Sequence, residues 1–148
     1  MEAVGDSHYR SRRRDRTSAD ASCQRLRQIP GVGPLASTAT VAAFGKGRDF
    51  NGWLGLVLKQ RSTGGKARLL GISKRGNEYL RRMFIHGARA VLYRVKYDTG
   101  GFGRWVHQLE ARAPRNKIIV AIANKLARIA WAVLFHGEGY KHQPIAAA

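Results

Sequence analysis

Acidic side chains are scarce. The 148 residues carry nine Asp and Glu against 27 Lys and Arg, a formal net charge of +18. Such a surface repels copies of itself and attracts polyanions, so nucleic acid ranks first among partners and an anionic membrane surface second. The acids are Glu2, Asp6, Asp15, Asp20, Asp49, Glu78, Asp98, Glu110 and Glu138. Four lie near the N-terminus and the others are isolated, which excludes the convergent carboxylates of a two-metal nuclease from this sequence. A single cysteine, Cys23, excludes an internal disulfide framework and a cysteine-rich zinc module, and it suits a reducing compartment. No apolar run approaches the roughly 20 residues that span a bilayer. Charges stand where a signal peptide has its apolar stretch, so no membrane is expected and the expected location is cytoplasmic. Strand-type alternation is nearly absent, and the fold class read from the sequence is all-α.

The residues present divide the chain into three parts. Residues 1–21 have no apolar periodicity and run through Arg10, Arg12, Arg13, Arg14 and Arg16, the pattern of a disordered basic arm. Residues 22–140 read as one helical domain, and residues 141–148 as a tail. Within the domain, Leu26 and Ile29 precede Pro30-Gly31-Val32-Gly33, which forces a tight turn. Pro34 is suited to the first position of the next helix, which Gly45 and Gly47 end. A short helix is expected over Asp49–Leu56, then a glycine-rich basic loop from Lys59 to Gly71. Gly76-Asn77 opens a long helix with Leu80, Phe84, Ala88, Val91, Leu92 and Val95 on one stripe. Trp105 and Leu109 anchor a brief helix. Pro114 precedes the last long helix, whose buried face is read as Ile118, Ile122, Leu126, Ile129, Val133 and Leu134.

Two segments carry chemistry. Two helices joined by Gly31-Val32-Gly33 resemble a helix-hairpin-helix, in which backbone N–H groups at a helix start face a phosphate without reading sequence. An ordinary tight turn between helices gives the same pattern. The second segment is Lys59-Gln60-Arg61-Ser62-Thr63-Gly64-Gly65-Lys66-Ala67-Arg68, followed by Ser73-Lys74-Arg75. From Lys59 to Lys96 there are eleven Lys and Arg and one acid, Glu78, a composition suited to neutralising phosphates. Ser62, between Arg61 and Lys66, has the surroundings of a nucleophile but no visible general base, and a plain surface loop is the competing reading. The glycines around Lys46 and Lys66 lack phosphate-loop spacing. His8, His86, His107, His136 and His142 are scattered without metal-ligand spacing, and Trp53, Trp105 and Trp131 read as core anchors.

Taken in order, several motifs resemble one family. They are Ile29-Pro30-Gly31-Val32-Gly33-Pro34, Phe50-x-x-Trp53-Leu54-Gly55-Leu56-Val57, Ser62-Thr63-Gly64-Gly65-Lys66, Gly71-Ile72-Ser73-Lys74-Arg75-Gly76-Asn77 with Tyr79-Leu80-Arg81, and Ala121-x-Ala123-Asn124-Lys125-Leu126-Ala127-Arg128-Ile129-Ala130-Trp131. Together they resemble, over roughly Leu26 to Tyr140, the C-terminal domain of the DEDD-type transposases of bacterial insertion sequences, the IS110, IS116 and IS902 family. The resemblance implies a helical, DNA-binding domain that follows an N-terminal RuvC-like domain holding Mg²⁺ on four acids. It further implies that Ser62 attacks a DNA phosphodiester and that a bridge RNA guides target choice. Arg61, Lys66, Arg68, Lys74 and Arg75 would hold DNA or RNA backbone, with Gly31, Val32 and Gly33 contacting phosphate. Self-association or pairing with full-length transposase is a further implied partnership, in a bacterial, nucleoid-associated setting.

The sequence departs from the family pattern in two ways. Leu58 stands where the family usually has proline, and no RuvC-like pattern is present, so the expectation is a truncated copy that needs Mg²⁺ and its ligands from another chain. The alternative reading is a non-enzymatic, basic nucleic-acid-binding protein, a relic or modulator of full-length transposase. A basic ribosome-associated protein fits the charge but not the order of motifs.

Overall fold

A computed structural model describes residues 20–43, 50–94 and 100–141. Most of the basic arm, the end of the second helix at Gly45 and Gly47, Asp49, Val95 and most of the tail lie outside the described residues. Six helices and one hairpin are seen. Helix α1 covers residues 20–27, α2 Pro34–Ala43 and α3 Phe50–Leu54. Strands β1 (Leu58–Thr63) and β2 (Lys66–Ile72) follow, then α4 (Glu78–Arg94), α5 (Gly101–Glu110) and α6 (Arg115–His136).

The core is built where α4 packs on α6, with α2 and α3 against α4, and α3 and α5 against α6. On α4, Leu80, Phe84, Ala88, Val91 and Leu92 are buried, the stripe expected from spacing apart from Val95. On α6 the buried set is Ile118, Ile119, Ile122, Ala123, Leu126, Ala127, Ala130 and Val133, while Ile129 and Leu134 are only half-buried. The correction to the expected face has a simple cause. Ala123, Ala127 and Ala130 have short side chains that let a neighbouring helix come close, so the buried seam follows the small residues as well as the large ones. The expectation that no apolar run approaches spanning length is corrected at α6, where an 18-residue window has a mean hydropathy of 1.8, apolar enough by length and composition to cross a membrane. Here its most apolar face forms the protein core.

Local chemistry fixes the helix ends. Asn77 caps α4, its Oδ1 accepting from the Leu80 N–H at 3.0 Å. Pro34 occupies the first position of α2, as its fixed φ and missing N–H allow. The buried hydroxyls of Ser37 and Thr40 donate to the carbonyls of Pro34 (2.8 Å) and Ala36 (2.6 Å) and so remain satisfied. Gly137 ends α6, and the Arg25 guanidinium of α1 donates to its carbonyl, tying the first helix to the end of the last. Lys125 of α6 lies 4.1 Å from the centre of the Trp105 ring on α5. Burial, and then the nearby Arg128, push its ammonium pKa below the usual lysine value. Burial, then Asp20, push the Cys23 thiol pKa above its usual value. The three tryptophans are half-buried against the core, consistent with anchors.

The all-α expectation is corrected at residues 58–72, where the expected loop is an antiparallel hairpin. Every residue from Leu58 to Gly71 is exposed, so no buried face imposes an apolar–polar alternation on the sequence. The legible sign was Gly64-Gly65. Both have positive φ, 59° and 76°, the requirement of a two-residue type I′ turn.

The Pro30–Gly33 turn packs directly on α4. A Cβ on Gly87 would sit 2.1 Å from the Gly31 carbonyl oxygen, and one on Gly31 (φ 83°) would sit 2.6 Å from that of Gly87. An alanine in a helix interior usually gains about 0.5–1 kcal/mol over glycine. At position 87 the sign is reversed: Gly87→Ala should destabilise the protein by about 1–3 kcal/mol through overpacking. Gly33→Ala, where a Cβ meets nothing within 4 Å, should change stability far less. Urea unfolding of the two variants measures the contrast.

Candidate nucleic-acid interface

The hairpin rises from a platform made of backbone. The Ser73 N–H donates to the Val57 carbonyl (2.8 Å), Lys74 N–H to Gly55 (3.1 Å) and Asn77 N–H to Trp53 (2.9 Å). The Arg81 guanidinium donates to the Leu54 carbonyl at 3.2 Å. Residues 53–57 and 73–77, which flank the hairpin in sequence, are therefore hydrogen-bonded to one another beneath it. Ile72 is the half-buried residue by which β2 joins the core. Leu58, the departure from the expected proline, pairs with Ile72 in the ladder.

Pairing determines what the hairpin presents. Arg61 stands opposite Arg68, Ser62 opposite Ala67, and Thr63 opposite Lys66. Directly opposed residues share a face and successive residues alternate, so one face carries Arg61, Thr63, Lys66 and Arg68. The other carries Gln60, Ser62, Ala67 and Leu69. Sequence proximity suggested that Arg61 and Lys66 flank the Ser62 hydroxyl, but the ladder puts them on opposite sides of the ribbon. The neighbour that does reach Ser62 is Gln60, whose Nε2 donates to Ser62 Oγ at 3.1 Å. An amide donor holds and orients the oxygen but takes no proton from it. Gln60 had no assigned role in the sequence, and the signal for it was its spacing of two from Ser62.

Lys74 and Arg75 are exposed in the platform strand that leads into α4, with Lys74 in the left-handed region at φ 54°. The Gly31-Val32-Gly33 turn is elsewhere. It meets α4 at Gly87, about 15 Å along the helix axis from Asn77 at 1.5 Å per residue. Val32 is buried in the core and its N–H donates to the Ile29 carbonyl at 3.1 Å. The first intrahelical bond of α2 is Ser37 N–H to Gly33 O (2.9 Å), which leaves the Leu35 and Ala36 N–H groups in the unsatisfied first turn. The proposed binding residues thus form two groups on one helix, not one cluster. Among the described residues no three His, Cys, Asp or Glu side chains come together to hold a metal ion, so the described residues do not fit a magnesium site.

The sequence profile described as the Transposase IS116/IS110/IS902 family matches residues 23–104. The chain belongs to this family. It is 47% identical over 128 residues to a probable family 20 transposase of Pseudomonas aeruginosa, covering 82% of this chain and 38% of that protein. The transposase for insertion sequence element IS1111A of Coxiella burnetii is 43% identical over 146 residues, 95% of this chain and 40% of its own length. That for element IS1328 of Yersinia enterocolitica is 43% identical over 124 residues, with 80% and 37% covered. The chain of this transposase family therefore spans about two-fifths of the length of the curated relatives it matches. The matched region runs from α1 into α5 and includes the whole hairpin and its platform.

Because the hairpin buries little beyond Ile72, its order and the stability of the helical body should separate. In Gly64→Val/Gly65→Val, where side chains oppose the positive φ of both turn residues, amide-exchange protection across residues 58–72 should be lost. The free energy of unfolding of the helices should change by less than about 0.5 kcal/mol, as read from amides in α4 and α6.

Proposed function

We propose that this chain is the DNA-binding C-terminal part of an insertion-sequence transposase, and that Ser62 is the nucleophile through which such a transposase attacks a DNA phosphodiester. The observation that carries the reading is an exposed, acid-free hairpin with Ser62 on one face and three cations on the other, in a chain of this transposase family. In the attack, a bond forms from Ser62 Oγ to phosphorus while a phosphorus–oxygen bond to a deoxyribose breaks, and the departing oxygen takes up a proton. Gln60 orients the attacking hydroxyl. Gln60 donates to Ser62 and takes no proton from it, so the proposal needs a base other than Gln60.

Arg61, Lys66 and Arg68 neutralise backbone phosphates on the face away from Ser62, and Lys74 and Arg75 extend that contact at the base of the hairpin. At the Pro30–Gly33 turn, a helix-hairpin-helix contact falls to the exposed Gly31 and Gly33 and to the first-turn N–H groups of α2, because Val32 N–H is already used. A guide RNA, a second copy of the chain and full-length transposase are the remaining proposed partners.

Binding of a duplex without sequence preference should fall about a thousandfold between roughly 50 and 200 mM salt if six phosphates are neutralised. The triple variant Arg61→Gln/Lys66→Gln/Arg68→Gln should lower the slope of log affinity against log salt by about 2–3, and Ser62→Ala should leave both affinity and slope unchanged. Fluorescence anisotropy measures all three. A flat salt dependence, or an unchanged slope in the triple variant, would overturn this assignment of the hairpin. In an assembled transposase, Ser62→Ala should abolish the covalent protein–DNA adduct while Ser73→Ala retains it, scored as a shifted band on a denaturing gel. An adduct that survives Ser62→Ala would show that another residue is the nucleophile.

A further inference from the structure

Among the described residues, helix α4 is packed on one side only. Its buried stripe is Leu80, Phe84, Ala88, Val91 and Leu92. At about 100° per residue, Tyr79, Arg82, His86, Arg89 and Tyr93 fall on the opposite side of the helix, at alternating spacings of three and four. All five are exposed, Tyr79 by 52% and Tyr93 by 76%. Two tyrosine rings thus bracket a basic stripe on a helix with one acid, Glu78. That acid pairs with Arg82 at 2.5 Å, and both side chains are exposed, so the pair is weak and a phosphate can replace its carboxylate. At the far end of the stripe, Tyr93 borders a cleft of about 340 Å³ lined also by Leu92, Ala113, Ile118, Glu110 and Arg115.

We propose that this outer face of α4 binds an unpaired stretch of nucleic acid, with Arg82 and Arg89 on backbone phosphates and Tyr79 and Tyr93 each stacked on a base. Three features select this occupant. The charge favours a polyanion, and a second copy of a +18 chain would bring arginines against arginines. Exposed tyrosines offer stacking platforms, and only an unpaired strand presents base faces to them, because a duplex keeps those faces inside its own stack. The rings stand about 21 Å apart along the axis, so each meets a different base. The cleft beside Tyr93 gives the base stacked there an apolar wall, and its charged lining is the Arg115 cation and a Glu110 carboxylate that lies 3.1 Å from His107 Nδ1. This inference rests on the nucleic-acid reading above and goes beyond it, since it assigns single-strand contact to a surface distinct from the hairpin and from the Gly31–Gly33 turn.

The test titrates the full chain against fluorescent, unstructured DNA and RNA oligonucleotides of about 16 nucleotides and against a blunt duplex of the same length. Tyr79→Ala and Tyr93→Ala should each weaken single-strand binding about tenfold and leave duplex binding within about twofold, whereas Tyr79→Phe and Tyr93→Phe retain wild-type affinity. Arg82→Gln and Arg89→Gln should each lower the single-strand salt slope by about 0.7. Circular dichroism confirms that every variant keeps its helices. A preference for RNA or for DNA identifies the source of the strand and supports the proposal in either case. Wild-type protein that binds duplex but not single strand, or alanine variants that bind single strands normally, overturn it and leave the duplex reading standing. Equal losses on duplex and single strand also overturn it, as would alanine variants that lose self-association in sedimentation instead. A chain that binds neither form of nucleic acid would refute the earlier reading itself.

Discussion

The packing of α4 against α6 is the contact on which the rest of the molecule depends. Each helix gives it a row of buried apolar residues, and Ala88, Ala123, Ala127 and Ala130 keep the two backbones close. Every other described element is located by reference to this pair. The Pro30–Gly33 turn is seated against α4 at Gly87, backbone on backbone, and the hairpin platform ends in the Asn77 cap from which α4 starts. Helix α1 reaches the far end of α6 through Arg25. A change at the α4–α6 seam therefore bears on both groups of proposed binding residues, on the turn through Gly87 and on the platform through Asn77.

The body and the hairpin obey different physics. The body is stabilised by burial, and its buried hydroxyls, Ser37 and Thr40, are satisfied by carbonyls of their own helix. The hairpin exposes nearly everything and is held by its ladder, its two-glycine turn and the backbone bonds beneath it. A two-stranded hairpin with so little buried surface is marginal in water by itself. Its conformation is thus open to whatever it docks against, which suits the role proposed for it.

Much of the helical body was legible in the sequence because burial leaves a periodic trace. The stripe of α4, Pro34 at the start of α2 and Asn77 at the start of α4 follow from spacing and capping chemistry. The hairpin was missed for the complementary reason: strand alternation is written by a buried face, and residues 58–71 have none. Only the two adjacent glycines recorded it. The site was legible in composition but not in arrangement. Arg61, Ser62 and Lys66 are near neighbours in the sequence, and only the pairing with Arg68 and Ala67 shows that the cations and the hydroxyl point to opposite sides. The glycine at 31 carried a second meaning as well, since its partner in close approach, Gly87, is 56 residues away and no local pattern links them.

The hairpin has two open edges, each a row of backbone donors and acceptors able to pair with another strand, and Leu58, Leu69 and Leu70 are exposed on it. In a neutral sequence that combination is a nucleus for edge-to-edge aggregation. Here Lys59, Arg61, Lys66 and Arg68 interrupt it, so two hairpins that approach edge to edge meet as like charges. The cations assigned to phosphate are in this way also guards against self-pairing. That guard is electrostatic, so it weakens as salt rises and the like charges are screened.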